Sequence, residues 1–268
     1  MVSGPAEHQE HVEHFDLSGR RAMVVGAETP AGGAIARAYG EAGADVALCV
    51  LRPDGGVMAA KGIQKELEAL GRTSSVYVMD VTLGRNVQVT TRQVAKELGG
   101  LDIVASCPDL FLGKPIGSTS DAELQQVMAV NFNSQFFVAR SAHGELQKNE
   151  RGGSIVLLTH VLGERGIANT AAYGAAHAAT QGLVRSLAVE LGPHRVSINA
   201  ISLGWMDWMQ DRLDPEVEDA GRAARFPIMK RAGEAEEIGP LAVWLAGSGA
   251  GYVSGQVFAV DGGLLQHL

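Results

Sequence analysis

From Arg21 onward, short apolar runs rich in β-branched residues alternate with longer amphipathic stretches, and no other feature of the chain constrains its fold as tightly. A short continuous apolar run fits a strand covered on both faces, and each longer stretch fits a crossover helix, so the repeat specifies βα units and a parallel sheet. Strands are expected at Ala22–Val25, Asp45–Val50, Ser75–Met79, Ile103–Ser106, Ser154–Thr159, Ser197–Ile201 and Val257–Val260. Helices are expected near Gly32–Ala42, Gly55–Leu70, Arg85–Glu97, Ala122–Gln147, Ala171–Leu191 and Glu236–Ala246. The chain should therefore form a single doubly wound α/β domain over 17–268, with about seven parallel strands flanked by helices, preceded by a polar extension over 1–16.

Composition narrows the function. A formal charge of −8 and the absence of a basic stripe exclude a nucleic-acid partner from the expectation. Two cysteines, Cys49 and Cys107, are too few for a disulfide framework, which points to a reducing, cytoplasmic setting. Met1–Arg20 lacks the apolar run of a signal peptide, and nothing approaches the ~20 apolar residues of a membrane span. His8, His11 and His14 would lie near one another on a helix, but a solvated polar tail is the simpler reading and no metal site is expected.

The first strand runs into Gly26-Ala-Glu-Thr-Pro-Ala-Gly32-Gly33, where a glycine-rich turn would hold a pyrophosphate at a helix N-terminus. Asp80-Val81 follows the third strand, Asn131 lies within a long helix, Tyr173 opens another, and Val260-Asp-Gly-Gly263 comes near the end. In this combination the chain resembles the short-chain dehydrogenase/reductase family from Leu17 to Gly263, supported by Leu101-Asp-Ile-Val104, Gly153-Ser-Ile-Val156 and Val196-Ser-Ile-Asn-Ala-Ile201. The resemblance implies a Rossmann-type fold and oxidation of an alcohol or reduction of a carbonyl with NAD or NADP. It also implies an Asn-Ser-Tyr-Lys tetrad in which the tyrosine phenol exchanges a proton with the substrate oxygen.

Two of the four tetrad positions depart from that pattern. Tyr173 and Asn131 match, but His177 stands one helical turn after Tyr173 in place of lysine. A lysine charge ~4 Å from the phenol is worth about 4 kcal/mol at an effective dielectric of ~20, and a neutral imidazole supplies none of it. A protonated His177 would restore part, but no acidic neighbour for it is evident in the sequence. His160 occupies the serine position thirteen residues before Tyr173, and the adjacent Thr159 would reach the tyrosine only across a one-residue bulge.

The expected cofactor-binding set, Gly26, Gly32, Arg52, Asp80, Val81 and Gly204, is altered around its edges. Pro30 replaces the middle glycine of the turn, removing an N–H and adding bulk, and Glu28 adds a negative charge there. Ser106-Cys107-Pro108-Asp109 replaces the family's Asn-Asn-Ala-Gly, and Trp208 stands where a carboxamide-binding threonine is expected. These changes should weaken dinucleotide binding. Val50 at the usual acid position and Arg52 just beyond lean toward the phosphorylated cofactor, Glu28 opposes it, and the choice stays open.

The segment 204–231 mixes Trp205, Met206, Trp208, Met209, Phe226 and Met229 with charges after a strand end, which suits a lid over a hydrophobic small-molecule substrate. Three readings follow. The first is an oxidoreductase for a hydrophobic alcohol or ketone with a non-standard site. The second is a non-catalytic subunit of a homo- or hetero-tetramer assembled through the helices Ala122–Gln147 and Ala171–Leu191. The third is cofactor-independent elimination, dehalogenation or isomerisation with Tyr173 as acid and His160 or His177 as base. Cys107 reads as a small buried residue and not a nucleophile.

Overall fold

Strand β1 (Arg21–Val25) alternates its side chains between two apolar layers, Val24 entering one and Met23 and Val25 the other, so both faces of the sheet must be covered. The computed structural model describes residues 14–212 and 226–266. After β1 come α1 (Pro30–Glu41), β2 (Asp45–Val50), α2 (Gly55–Ala69), β3 (Ser74–Val78), α3 (Gly84–Glu97) and β4 (Ile103–Ser106). Then follow α4 (Asp121–Met128), α5 (Ser134–Leu146), β5 (Gly153–His160), α6 (Ala171–Leu191), β6 (Val196–Leu203), α7 (Gly239–Ala246) and β7 (Val257–Val260). The sheet has seven strands in the order β3-β2-β1-β4-β5-β6-β7, and every pairing is parallel.

One layer packs Ile35, Tyr39 and Leu67 of α1 and α2 and Ala242 of α7 against Val24 and Leu48. The other packs Val87, Val94, Val138 and Val184 of α3, α5 and α6 against Met23, Cys49 and Ile155. Strand order reverses between β1 and β4, which opens a crevice at their carboxyl ends. The tips of β1, β2, β3, β4, β5 and β6 carry Gly26, Arg52, Asp80, Asp109, His160 and Gly204, so the topology gathers the candidate residues along one edge.

One expectation needs correction. The stretch Ala122–Gln147 is not a single regular helix, because a π-helical turn at Ala129–Asn133 separates α4 from α5. The Asn131 side-chain Nδ2 donates to Leu110 O and its Oδ1 accepts from Leu110 N, both at 2.8 Å, while Thr180 Oγ1 donates to the Asn131 backbone O at 3.0 Å. Asn131 therefore bends its own helix and clamps the loop after β4, a use of π-turns common near functional sites.

His14 Nδ1 lies 3.3 Å from Ser248 Oγ, and His8 and His11 fall outside the described residues. The expected lid is described at 204–212 and 226–231, with 213–225 outside. Among the described residues no helix is long and apolar enough to cross a membrane.

Candidate active site

At the end of β1, Gly26 adopts φ +79°, and a Cβ there would meet the Cys107 carbonyl at about 3.1–3.2 Å, so the turn can pass beside the β4 extension only as glycine. A Cβ on Gly32 would come within 2.1 Å of Gly26 O. The turn is built as the resemblance requires, but its donors are spent internally. Thr29 caps α1, its Oγ1 accepting from Gly32 N at 3.0 Å and donating to Gly26 O at 2.8 Å. Thr29 N bonds Gly26 O, Gly33 N bonds Thr29 O, and Pro30 at the first helical turn has no N–H. Proline is comfortable at that position, yet an arriving phosphate would find few free donors.

The ends of β2 and β3 carry polar groups with partners of their own. Glu28 Oε1 accepts from Leu51 N at 2.7 Å. Burial raises the Glu28 pKa, partly opposed by backbone hydrogen bonds and by the charge of Arg52. Arg52 is exposed at the end of β2, Val81 is buried, and Asp80 uses its carboxylate to accept from Thr82 N and Oγ1 at 2.9 and 2.6 Å. Gly204 passes so close to Asp261 that a Cβ would lie 2.4 Å from its Cα.

The chemistry converges on Tyr173, which is fully buried at the start of α6. Its hydroxyl donates to Asp109 Oδ1 at 2.8 Å and accepts from an Arg212 N–H at 3.3 Å. The same guanidinium donates to Asp109 Oδ2 at 2.5 Å and stacks 5.3 Å over the Phe111 ring. His177 lies edge-on to Tyr173 with ring centroids 4.3 Å apart, and its Nε2 sits 3.6 Å from Asp109 Oδ1, an ion-pair distance. His177 therefore does have an acidic neighbour, contrary to the sequence expectation. Asp109 is 68 positions away along the chain and reaches it only because β4 ends beside the start of α6.

His160 also lies in the cleft, with its ring 5.5 Å from Tyr173. Its Nδ1 accepts from Leu162 N at 3.1 Å, which places the proton of the neutral ring on Nε2. Thr159 contributes no hydroxyl to the tyrosine. Strand β5 pairs with β6 in unbroken register through His160, without a bulge, and Thr159 Oγ1 bonds His177 Nδ1 at 3.2 Å.

Electrostatics follow from this packing. Burial pushes the Tyr173 phenol well above its usual range, and the Asp109 charge pushes it further, with Arg212 opposing. Burial lowers the His160 pKa to about 3, helped by the neighbouring His177. For Asp109, burial acts upward but is outweighed by His177, Arg212 and His160, leaving the carboxyl well below the ordinary range. Burial raises the Cys107 thiol, which suits a core residue and not a nucleophile.

The space left is small. A cavity of about 210 Å³ is bounded by Pro30, Asp109, Tyr173, His177, Trp208 and Arg212. Ligand sites span roughly 300–1,000 Å³, so this cavity by itself is smaller than a usual ligand site. A second cavity of about 320 Å³, mostly apolar, adjoins it across His160, Met209 and Arg212. Its walls include Phe111, Ile167, Trp205, Phe226 and Leu264.

Sequence reasoning singled out neither Asp109 nor Arg212 as a candidate site residue. Asp109 was legible only as a departure from the family's Asn-Asn-Ala-Gly, and nothing in the sequence marks Arg212, which sits in a 3-10 helix at Asp207–Arg212.

The 3-oxoacyl-[acyl-carrier-protein] reductase FabG of Pseudomonas aeruginosa is 31% identical to this chain over 250 residues, covering 93% of the chain and 99% of the relative. A dehydrogenase/reductase from Sinorhizobium meliloti 1021 superposes with a TM-score of 0.87 at 29% identity, covering 96% of this chain and 99% of that one. A 7 alpha-hydroxysteroid dehydrogenase, solved in complex with NADH and 7-oxo glycochenodeoxycholic acid, superposes with a TM-score of 0.86 at 26% identity, covering 94% and 96%. A family profile described as enoyl-(acyl carrier protein) reductase matches residues 26–265. The parallel sheet, the glycine turn and this similarity along nearly the whole chain agree: the protein belongs to the short-chain dehydrogenase/reductase family.

Proposed function

We propose that this oxidoreductase-family chain does not run the family's hydride transfer in the arrangement described, and that its cleft receives a small hydrophobic molecule. The observation that carries the reading is the hydrogen bond from Tyr173 to Asp109 Oδ1 at 2.8 Å. That bond occupies the place a substrate oxygen needs, and an adjacent carboxylate opposes formation of the phenolate. Spent donors at Thr29, Gly32 and Gly33, together with Trp208 beside the cavity, support weak binding of NAD or NADP. When bound, a nicotinamide would supply hydride chemistry, and Tyr173 would have to leave Asp109 before it could exchange a proton with an alcohol or ketone.

A non-catalytic role in a homo- or hetero-tetramer fits the exposed apolar side chains Leu124, Phe136 and Val189 on α4, α5 and α6. Two buried free thiols accord with a reducing cytoplasmic location. A second reading, cofactor-free acid–base chemistry, is favoured by one contact, His177 Nε2 against Asp109. His160 is a poor base there because its acceptor nitrogen is already used by Leu162.

The test is a titration of NADH and NADPH against the fluorescence of Trp205 and Trp208, confirmed by calorimetry. Absence of binding at millimolar cofactor is expected. Submillimolar binding, or turnover of a ketone with either cofactor, overturns the proposal.

A further inference from the structure

The turn from β2 into α2 reads Arg52-Pro-Asp54-Gly55-Gly56, and Asp54-Gly55 is one of two Asp-Gly sequences in the chain, the other being Asp261-Gly262. Glycine has no Cβ to crowd its own amide nitrogen, so that nitrogen can approach the preceding side chain. Whether it does so depends on ψ of the aspartate. Substituents on a tetrahedral Cα are about 120° apart, so Cβ eclipses the next amide nitrogen when ψ is about −120°. Helical residues, with ψ about −42°, and extended residues, with ψ about +135°, both hold that nitrogen well away from Cβ. Asp54 has ψ −128°. Its Cβ and the Gly55 nitrogen therefore lie on the same side of the Cα–C bond, and rotation about Cα–Cβ alone brings the carboxyl carbon to that nitrogen.

The reacting groups are also unoccupied and wet. Asp54 and Gly55 are exposed. Asp54 precedes α2 without capping it, and among the described residues its carboxylate has neither a hydrogen-bond nor an ion-pair partner. The Gly55 N–H belongs to the first turn of α2, where no intrahelical acceptor exists. Asp261 is the opposite case, because its two carboxylate oxygens accept from Gly263 N at 2.9 Å and from Leu265 N at 2.7 Å.

We propose that Asp54 is a modification site at which the main chain rearranges through a succinimide to isoaspartate. The Gly55 nitrogen bonds to the protonated Asp54 carboxyl carbon and gives its proton to solvent, while the C–OH oxygen takes a proton and leaves as water. Water then opens the ring. Attack at the main-chain carbonyl yields isoaspartate, and attack at the side-chain carbonyl restores aspartate, so the mass is unchanged and nothing is oxidised or reduced. The product carries an extra methylene in the backbone at the start of α2. Gly56 there abuts Glu28, whose Cγ would lie 3.3 Å from a Cβ at Gly56, so the change falls beside the glycine turn. This goes beyond the reading of the cleft and does not depend on it.

The test ages the full chain, folded, in mildly acidic buffer, beside the same chain unfolded in urea. Isoaspartate at each site is read by separating equal-mass tryptic peptides and by methyl transfer with an isoaspartyl methyltransferase. Asp54 should convert several-fold faster than Asp261. It should also convert faster in the fold than in urea, where ψ spends most of its time at helical and extended values. A Cβ at Gly55 meets nothing within 4 Å, so Gly55→Ala should keep the fold, crowd the attacking nitrogen and slow conversion several-fold. Conversion at Asp54 no faster than at Asp261, as fast or faster in urea than in the fold, or unchanged in Gly55→Ala, overturns the proposal.

Discussion

Replacing Asp109 by asparagine should make Tyr173 a stronger acid, and replacing Arg212 by methionine should make it weaker. With the phenol oxygen 2.8 Å from Asp109 and 3.3 Å from Arg212, unit charges at an effective dielectric of ~20 contribute about 6 kcal/mol of repulsion and about 5 kcal/mol of attraction toward a phenolate. The two nearly cancel in the native site, which leaves burial as the main obstacle to ionisation. Asp109→Asn removes the repulsion and keeps the attraction, whereas Arg212→Met does the reverse. The variants should therefore ionise in opposite directions from the parent, separated by several pH units. Tyrosine labelled with 13C at Cζ reports each phenol by NMR, and Tyr173→Phe assigns the resonance. Either single variant leaves one member of a partly buried pair uncompensated and should cost about 3 kcal/mol of stability. If both variants move Tyr173 the same way, or neither moves it, the account of the site as an Asp109–Arg212 pair seated on the phenol is wrong.

Acid stability should depend on His160. Its ring is neutral in the fold, with a pKa lowered from 6.5 to about 3 by burial and the neighbouring His177, and it protonates in the unfolded chain. Stability from this group is therefore intact above pH 6.5 and declines by about 2 kcal/mol as pH falls to about 5. Urea unfolding of His160→Gln should show a flatter acid limb, and an unchanged slope would remove His160 as the cause. His177→Lys alone should create no dehydrogenase activity, since the new ammonium would pair with Asp109 and, on the proposed reading, Pro30 and Trp208 would still obstruct the cofactor. Robust NADH- or NADPH-dependent turnover by that variant would show the cofactor site to be sound. Gly32→Ala should cost about 3 kcal/mol or abolish folded yield, because its Cβ would lie 2.1 Å from Gly26 O, and near-native stability in urea would contradict the turn geometry.

All seven strands were legible in sequence because each is a short apolar run; the inner strands are buried on both faces, as parallel strands demand, while the edge strands β3 and β7 are only partly buried. Tyr173, Asn131 and the glycine turn were legible because one spacing along the chain fixes each relative to its own helix or strand. The break at Ala129–Asn133 was not, since it arises from side-chain bonds between Asn131 and Leu110, 21 positions away. The same limit explains the active site. Sequence alone determined that His177 stands four residues after Tyr173 and His160 thirteen before it. Only the tertiary structure decided what touches the phenol, by bringing Asp109 from the tip of β4 and Arg212 from beyond β6 onto it. Local spacing encodes secondary structure through backbone hydrogen bonds, but partners 64 and 39 positions from Tyr173 meet only when the sheet order is set by burial.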